Sequence, residues 1–272
     1  MRGDGAPRTL DWLTSVWLFV AAFLGGALNS VAGGGAFVVL PALMSAGVGA
    51  VAANATATFA MWPGSVSSAL AYHREVRKSR AWLIRMGPAS LLGGVLGALL
   101  LVNTSDTRFL RVLPWLMAGA ALAFTFGAPV SERLRQIAAR RTRGNPDVGH
   151  APDRAPVWIV AFQLLVAIYG GYFGGGMGIV MLAALAVTGM TDIHEMNALK
   201  ITLAVAINAM ALAIFIIDGT VAWAPGIVMV AGGIAGGYVG ASSARRIDPS
   251  LVRKVVVVLA WVMTAVFFLR GR

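Results

Sequence analysis

The stretch VAGGGAFVVLPAL, residues 31–43, and its counterpart YFGGGMGIVMLAAL, residues 172–185, decide how this chain folds. Each lies in an apolar run without any charged residue, one covering 12–46 and the other 157–190. A membrane-spanning helix needs only about 20 apolar residues, so each run is too long for a single crossing. Three consecutive glycines weaken a helix and allow backbone conformations that other residues resist. The sequence therefore predicts, in each run, a helix, a break at the glycines and a short second helix.

These two breaks also indicate where a ligand would bind. Unwound backbone at membrane depth is tolerated only where protein buries it or where it lines a watery cavity. Paired breaks in the two halves of a chain are typical of a transporter's binding site. We therefore expect the glycines of both triplets to contribute to a substrate site: Gly33, Gly34, Gly35, Gly174, Gly175 and Gly176.

The composition is that of an all-α, polytopic integral membrane protein. Of the 272 residues, 58% are hydrophobic and only 12% are charged, far more apolar than a soluble domain. Eight apolar segments follow one another: 12–46, 51–71, 81–102, 109–128, 157–190, 196–217, 221–241 and 251–269. We expect a multi-pass protein of the cell inner (plasma) membrane, with the lipid bilayer as its surroundings.

Charge and cysteine content exclude several other classes of protein. The net charge is +11, and the basic residues lie between the apolar segments. This placement indicates orientation by the positive-inside rule rather than a nucleic-acid partner. The chain has no cysteine, which excludes disulfides, thiol catalysis and cysteine metal sites. We expect no cofactor and no metal. Arg2 and Arg8 before an apolar run resemble a signal peptide, but the counterpart of that run lies in mid-chain, so we expect 12–46 to be retained.

The two halves of the chain match at a nearly constant offset, which indicates an internal duplication. The matching positions are Gly33 with Gly174 (174 − 33 = 141), Asn54 with Asn197 (197 − 54 = 143), Ala81-Trp82 with Ala222-Trp223, GGVLGA at 93–98 with GGYVGA at 236–241, and Asp106 and Arg111 with Asp248 and Arg253 (248 − 106 = 142). We therefore predict a first transmembrane repeat at 12–128, a basic cytoplasmic linker at 129–156 and a second repeat at 157–269. The four-residue glycine spacing in GGVLGA and GGYVGA predicts close helix packing.

Two topologies remain open. In one, eight segments cross the membrane and both termini are cytoplasmic. In the other, each glycine-broken run is a re-entrant hairpin, six segments cross, and the repeats are inverted. The basic loop 72–80 matches the nearly uncharged loop 217–221, whereas the weakly charged loop 103–111 matches the basic loop 242–254. This exchange of charge favours the inverted arrangement, since opposite orientations would produce it.

Lys200 is the clearest intramembrane charge, about two helical turns into the sixth segment. Intramembrane ionisable residues are costly, so each is a candidate for a functional site. The alternative is snorkelling, in which the long stem carries the ammonium back to the headgroups.

Uncharged polar residues accompany the glycine breaks in both halves. The first half contributes Asn29, Ser30, Asn54, Thr56, Thr58, Ser65, Ser67 and Ser68, and the second contributes Asn197, Thr202 and Asn208. Singly, each is explained by an interhelical hydrogen bond. As a set beside the breaks, we expect Asn54, Thr56, Thr58, Ser65, Lys200, Thr202 and Asn208 to line the substrate site. No Asp or Glu lies deep in any segment, so amides, hydroxyls, one lysine and helix amino termini would favour a small anionic substrate.

Four motifs carry a family resemblance. VAGGGAFVVLPAL and NATATFAMWPGSVSSALAYHRE (54–75) in the first half, with YGGYFGGGMGIVML (169–182) and NALKITLAVAIN (197–208) in the second, resemble the sulfite exporter TauE/SafE family of membrane permeases. The resemblance covers about residues 16–128 and 158–269. It implies transport of sulfite, an organosulfonate or a related small organic anion, with the glycine triplets, the 56–65 segment and Lys200 as functional elements.

A secondary transporter for such an anion, bound between the two repeats near the membrane midplane, is therefore the leading hypothesis. An intramembrane enzyme is a second one, but His73, His150 and His194 all lie in loops or at segment ends, and no catalytic constellation lies in the apolar segments. We expect no enzymatic activity. A non-transporting scaffold that binds partners through the linker is the third. The sequence leaves open whether the protein forms a homo-oligomer.

Overall fold

The computed structural model describes residues 11–31, 34–144, 155–243 and 249–270, and every regular element within these ranges is an α-helix. In chain order they are α1 (Trp12–Val31), α2 (Ala36–Ser45), α3 (Ala50–Ala71), α4 (His73–Lys78), α5 (Arg80–Val102), α6 (Asp106–Gly144), α7 (Val157–Tyr172), α8 (Met177–Val187), α9 (Ile193–Ile217), α10 (Trp223–Ser243) and α11 (Pro249–Arg270). Six of them, α1, α5, α6, α9, α10 and α11, contain stretches long and apolar enough to cross a membrane. The prediction of an all-helical polytopic membrane protein is confirmed.

Helix boundaries fall at both glycine triplets, as predicted. In the first half Gly34 and Gly35 separate α1 from α2, and in the second half residues 173–176 separate α7 from α8. Gly174 has φ +80° and Gly176 has φ +77°, in the left-handed region that a side chain makes unfavourable. The second break therefore requires glycine at these two positions.

Helix α6 is longer than the apolar segment that predicted it. Its 39 residues run from Asp106 to Gly144, with Pro114 and Pro129 inside the helix. At 1.5 Å per residue it is roughly 58 Å long, about twice the hydrocarbon thickness of a membrane. The first part of the predicted linker therefore continues a membrane helix, and residues 145–154 of the linker lie outside the described part of the chain.

Glycine motifs place two helix pairs in close contact, α1 with α10 and α5 with α7. A Cβ atom on Gly236 would overlap the carbonyl oxygen of Phe23, and one on Gly97 would overlap the carbonyl oxygen of Ile168. The backbones touch because neither glycine has a side chain. This confirms the packing role predicted for GGVLGA and GGYVGA.

Helix α3 is attached to other helices at its beginning. The Asp106 carboxylate, at the start of α6, accepts the Val51 N–H at 2.8 Å, in the first turn of α3. The N–H groups of a first helical turn have no partner within the helix, so this carboxylate satisfies one of them from another helix. The contact fixes the beginning of α3 against the beginning of α6.

Candidate substrate site

A cavity of about 370 Å³ lies between helices of the two halves. Its wall contains the backbone of the second glycine break, the middle and end of α3 and the first half of α9. The polar and charged residues that line it are Asn29, Ser30, Asn54, Thr58, Ser65, Ser68, Tyr72, Asn197, Lys200 and Asn208. No aspartate or glutamate is among the described residues of its wall. The cavity therefore has a mixed wall of polar and apolar side chains, with a cationic side chain and, among the described residues, no acidic one.

The second glycine break forms part of this wall because two side chains hold it in place. The Tyr169 hydroxyl donates to the Gly175 carbonyl at 2.5 Å. The Asn54 amide, from α3, donates to the Tyr172 carbonyl at 3.0 Å. Helix α8 begins immediately after the break, at Met177, so the start of a helix faces the cavity. The Met177 and Ile179 N–H groups donate to the Gly174 and Gly176 carbonyls in the turn, and the helix start carries partial positive charge.

Lys200 lies on α9 opposite this helix start. A Cβ atom on Gly178 would lie 3.1 Å from Cδ of Lys200, so the lysine stem packs against the first turn of α8. Gly178 makes room for the stem because it has no side chain. The lysine and the beginning of α8 thus contribute positive charge to the same cavity.

Three predicted hydroxyl and amide positions on α3 lie in the cavity wall, and their hydrogen bonds show how they are held. The Thr58 hydroxyl donates to the Asn54 carbonyl at 3.1 Å, and the Ser65 hydroxyl donates to the Met61 carbonyl at 3.2 Å. Each donates its proton to its own helix, which leaves the oxygen lone pairs free to accept a hydrogen bond. Asn208, on α9, also lines the cavity.

Four other predicted residues lie outside this wall. Thr56 is completely buried and accepts the Ala222 N–H at 2.9 Å. The buried hydroxyl oxygen of Thr202 has no hydrogen-bond partner among the described residues. Gly34 and Gly35 are buried in contacts between helices, where a Cβ atom would overlap Val256 and the Gly25 carbonyl. Gly33 lies outside the described residues.

The cavity also contains residues that were not selected from the sequence. Asn29, Ser30, Ser68 and Asn197 belonged to the polar set but were not singled out as site residues. The aromatic residues Tyr72, Phe124 and Phe173 also line the cavity. Phe173 directly precedes the second glycine triplet, so its position in the sequence could have identified it as a residue of the cavity wall. Phe124 lies in an unremarkable apolar segment, and only the packing of α6 brings it to the cavity.

In the described part of the chain, histidine and acidic side chains do not line the cavity. No group of three or more His, Cys, Asp or Glu side chains there is arranged to hold a metal ion. His73 and His194 are exposed and do not line the cavity. The predicted His150 lies outside the described residues.

Apolar helices, helix breaks and a cavity with polar groups between the two halves are typical of a multi-pass membrane transporter, and comparison with known proteins agrees. Residues 18–267 match the protein family described as Sulfite exporter TauE/SafE, and the chain belongs to this family. The predicted resemblance is therefore confirmed.

Named relatives extend over almost the whole chain. A "Probable membrane transporter protein" of Haemophilus influenzae is 28% identical over 255 residues, covering 91% of this chain and 92% of the relative. The "Probable membrane transporter protein YfcA" of Escherichia coli is 29% identical over 252 residues, covering 91% and 87%. No solved structure matches the chain. The protein is thus a transporter of the cell membrane, in a family of transporters rather than enzymes.

Proposed function

We propose that the protein is a secondary transporter for a small anion, either sulfite, an organosulfonate or a related organic anion. The observation that carries the proposal is that Lys200 and the start of α8 line one cavity whose described wall contains no carboxylate. A cation would have no charged partner there, whereas an anion would meet an ammonium group and a helix amino terminus. Asn54, Asn208 and the backbone of Gly175 and Gly176 would complete the site.

The proposed arrangement around this site is two inverted repeats, each with a re-entrant hairpin. In it α3 crosses the membrane, whereas α1, although long and apolar enough to cross, forms one arm of the first hairpin. In the first half, the Trp17 indole near the beginning of α1 donates to the Ser45 hydroxyl at the end of α2, at 3.1 Å. In the second half, α8 lies beside α6, where a Cβ on Gly176 would lie 3.1 Å from Cα of Ala120. Further along, Ser131 donates to the Leu182 carbonyl at 3.4 Å, beyond the apolar part of α6. These contacts support α2 and α8 returning to the side from which α1 and α7 started.

A contact between α6 and α11 supports inversion rather than eight crossings. Arg253 in the second turn of α11 donates to the Thr125 carbonyl at 3.0 Å, near the end of the apolar part of α6. The loop 242–254 would then lie on the same side as the linker 129–156. The inverted arrangement requires this, whereas eight crossings would place the two on opposite sides. The positive-inside rule assigns that side to the cytoplasm, since both segments are basic.

Purified protein tests the anion site first. Its thermal unfolding temperature should rise with one or more of sulfite, sulfate, taurine, sulfoacetate or small carboxylates, because a ligand that binds only the folded state stabilises it. The ligands found should then cross proteoliposome membranes that contain the protein, and should not cross membranes that contain Lys200→Ala. If none of the anions stabilises the protein or is transported, the proposal is wrong. Transport that persists after removal of residues 132–150 would exclude a scaffold that acts through the linker.

A further inference from the structure

Helix α6 contains a proline where its apolar stretch ends. Pro129 lies two residues beyond Gly127, the last residue of the apolar stretch. Proline has no N–H, so the carbonyl of Thr125, four residues earlier, loses its helical donor. A backbone carbonyl away from water is costly unless another donor replaces the missing one.

Arg253 of α11 supplies that donor. Its Nη2 donates to the Thr125 carbonyl at 3.0 Å, and its Nη2 and Nε lie 3.3 and 3.4 Å from the Phe124 carbonyl. The planar guanidinium group suits this role because it presents several donors at once. The indole of Trp261, two turns further along α11, donates to the Thr125 hydroxyl oxygen at 3.1 Å. Two side chains of α11 therefore hold one turn of α6.

The same turn of α6 forms part of the cavity wall. Phe124 lines the cavity, and its ring packs edge-to-face on Phe37 of α2, with ring centroids 5.7 Å apart and planes at 73°. Gly127 leaves space for the side chain of Ile179 of α8, which also lines the cavity. This turn therefore contacts both α2 and α8, the helices that follow the two breaks.

We propose that Arg253 is a positioning residue for the substrate cavity. It replaces the hydrogen-bond donor that Pro129 lacks and so fixes the turn of α6 that carries Phe124. Arg253 does not line the cavity, so its effect reaches the substrate through α6. Among the described residues no acidic side chain pairs with it; its partners are backbone carbonyls. A role limited to membrane orientation would require only a positive charge and would be independent of Pro129.

A double-mutant cycle with Pro129 tests this role. The Pro129→Ala change returns an N–H to position 129, so the Thr125 carbonyl regains its helical donor without Arg253. The chain has no cysteine, so Ala57→Cys places a single thiol in the cavity wall, to be labelled with a neutral methanethiosulfonate reagent. Adding Arg253→Met should change the labelling rate about 5-fold or more, because the wall is displaced. When the Ala57→Cys protein carries both Pro129→Ala and Arg253→Met, its labelling rate should lie within about 2-fold of the rate of the Ala57→Cys protein that carries Pro129→Ala alone.

The proposal is wrong if Arg253→Met leaves the labelling rate unchanged. It is also wrong if Arg253→Met changes the rate by the same factor whether residue 129 is proline or alanine. Arg111→Met is the matched control, since Arg111 is the counterpart of Arg253 in the first half and is exposed on α6. It should label at the wild-type rate. If Arg253→Met does not fold, Arg253→Gln and Arg253→Lys test the same cycle, since each retains fewer donors than arginine.

Sulfite flux into proteoliposomes gives a second readout, which rests on the proposed function. Arg253→Met should raise the KM for sulfite several-fold more than it lowers kcat, and Pro129→Ala should suppress that increase. Equal effects of Arg253→Met in the presence and absence of Pro129 would overturn the proposal here as well. If the wild-type protein carries none of the anions named above, the anion assignment fails, and the labelling cycle still decides the role of Arg253.

Discussion

Lys200 is the residue whose replacement should affect transport most. It packs against Gly178 and lines a cavity with no acidic residue in its described wall. Removing the charged partner of a bound anion from a desolvated site costs on the order of 2–5 kcal/mol. Lys200→Ala should therefore abolish anion transport, and Lys200→Arg should weaken it, because a planar fork replaces a compact charge beside Gly178.

The measurement is anion flux in proteoliposomes, together with thermal unfolding to show that the variants fold. Lys78→Ala removes an exposed lysine from α4 and is the control for a loss of general positive charge. Near wild-type affinity in Lys200→Ala would assign the lysine to snorkelling, and the start of α8 would then hold the anion without it.

Two threonines that resembled each other in the sequence should behave differently. Thr56 accepts the N–H of Ala222, so Thr56→Val leaves a buried donor unpaired, at a cost of about 1–3 kcal/mol. The buried Thr202 hydroxyl has no partner among the described residues, so Thr202→Val should be neutral or stabilise the protein by about 1 kcal/mol. Unfolding of the purified variants by heat checks both values. A larger loss of stability for Thr202→Val than for Thr56→Val would contradict these hydrogen-bond assignments.

At the scale of elements, the glycines of α10 determine how closely two helices approach. Gly236 touches the backbone of α1, whereas Gly237, the next residue, has open space where a Cβ would lie. Gly236→Ala should destabilise the protein by about 1–3 kcal/mol, because the two backbones must move apart. Gly237→Ala should be neutral or stabilising by up to about 1 kcal/mol, since alanine favours a helix more than glycine does.

Thermal unfolding of the Gly236→Ala and Gly237→Ala variants compares the two positions directly. The pair is well matched because both replace a glycine in the same turn of the same helix. Equal unfolding temperatures for Gly236→Ala and Gly237→Ala would show that α1 and α10 are not in backbone contact.

At the scale of the whole molecule, the prediction is that the loops at 103–105 and 218–222 lie on the same side of the membrane. Asn103→Cys and Asp218→Cys should both react with a membrane-impermeant thiol reagent from outside the cell, because the inverted arrangement places both loops there. Arg133→Cys and Lys78→Cys should react only after the membrane is opened. The chain has no cysteine of its own, so each label reports one site.

Eight crossings predict a different pattern. Asn103→Cys would still react from outside, but Asp218→Cys would be protected until the membrane is opened. Labelling of Arg133→Cys from outside would show that the predicted cytoplasmic orientation of the linker is wrong.

What the sequence determined by itself was the class of fold, the position of both helix breaks and the family. These properties depend on local chemistry. Long charge-free runs indicate the membrane, three consecutive glycines weaken a helix by local propensity, and the motifs are contiguous in the chain. Lys200 and the polar residues of α3 could also be identified from the sequence as candidate site residues, because charged and amide side chains are rare in apolar runs.

The tertiary structure alone decided which of those residues share a cavity. Thr56 and Thr58 lie two positions apart in the sequence, yet Thr56 accepts a hydrogen bond from Ala222, just before α10, and Thr58 faces the cavity. A helix turns by about 100° per residue, and only the arrangement of its neighbours determines which direction is the cavity and which is the core. For the same reason, Phe124 and Arg253 could not be found from the sequence. Their roles depend on contacts of α6 with α2 and α11, and those contacts join residues far apart in the chain.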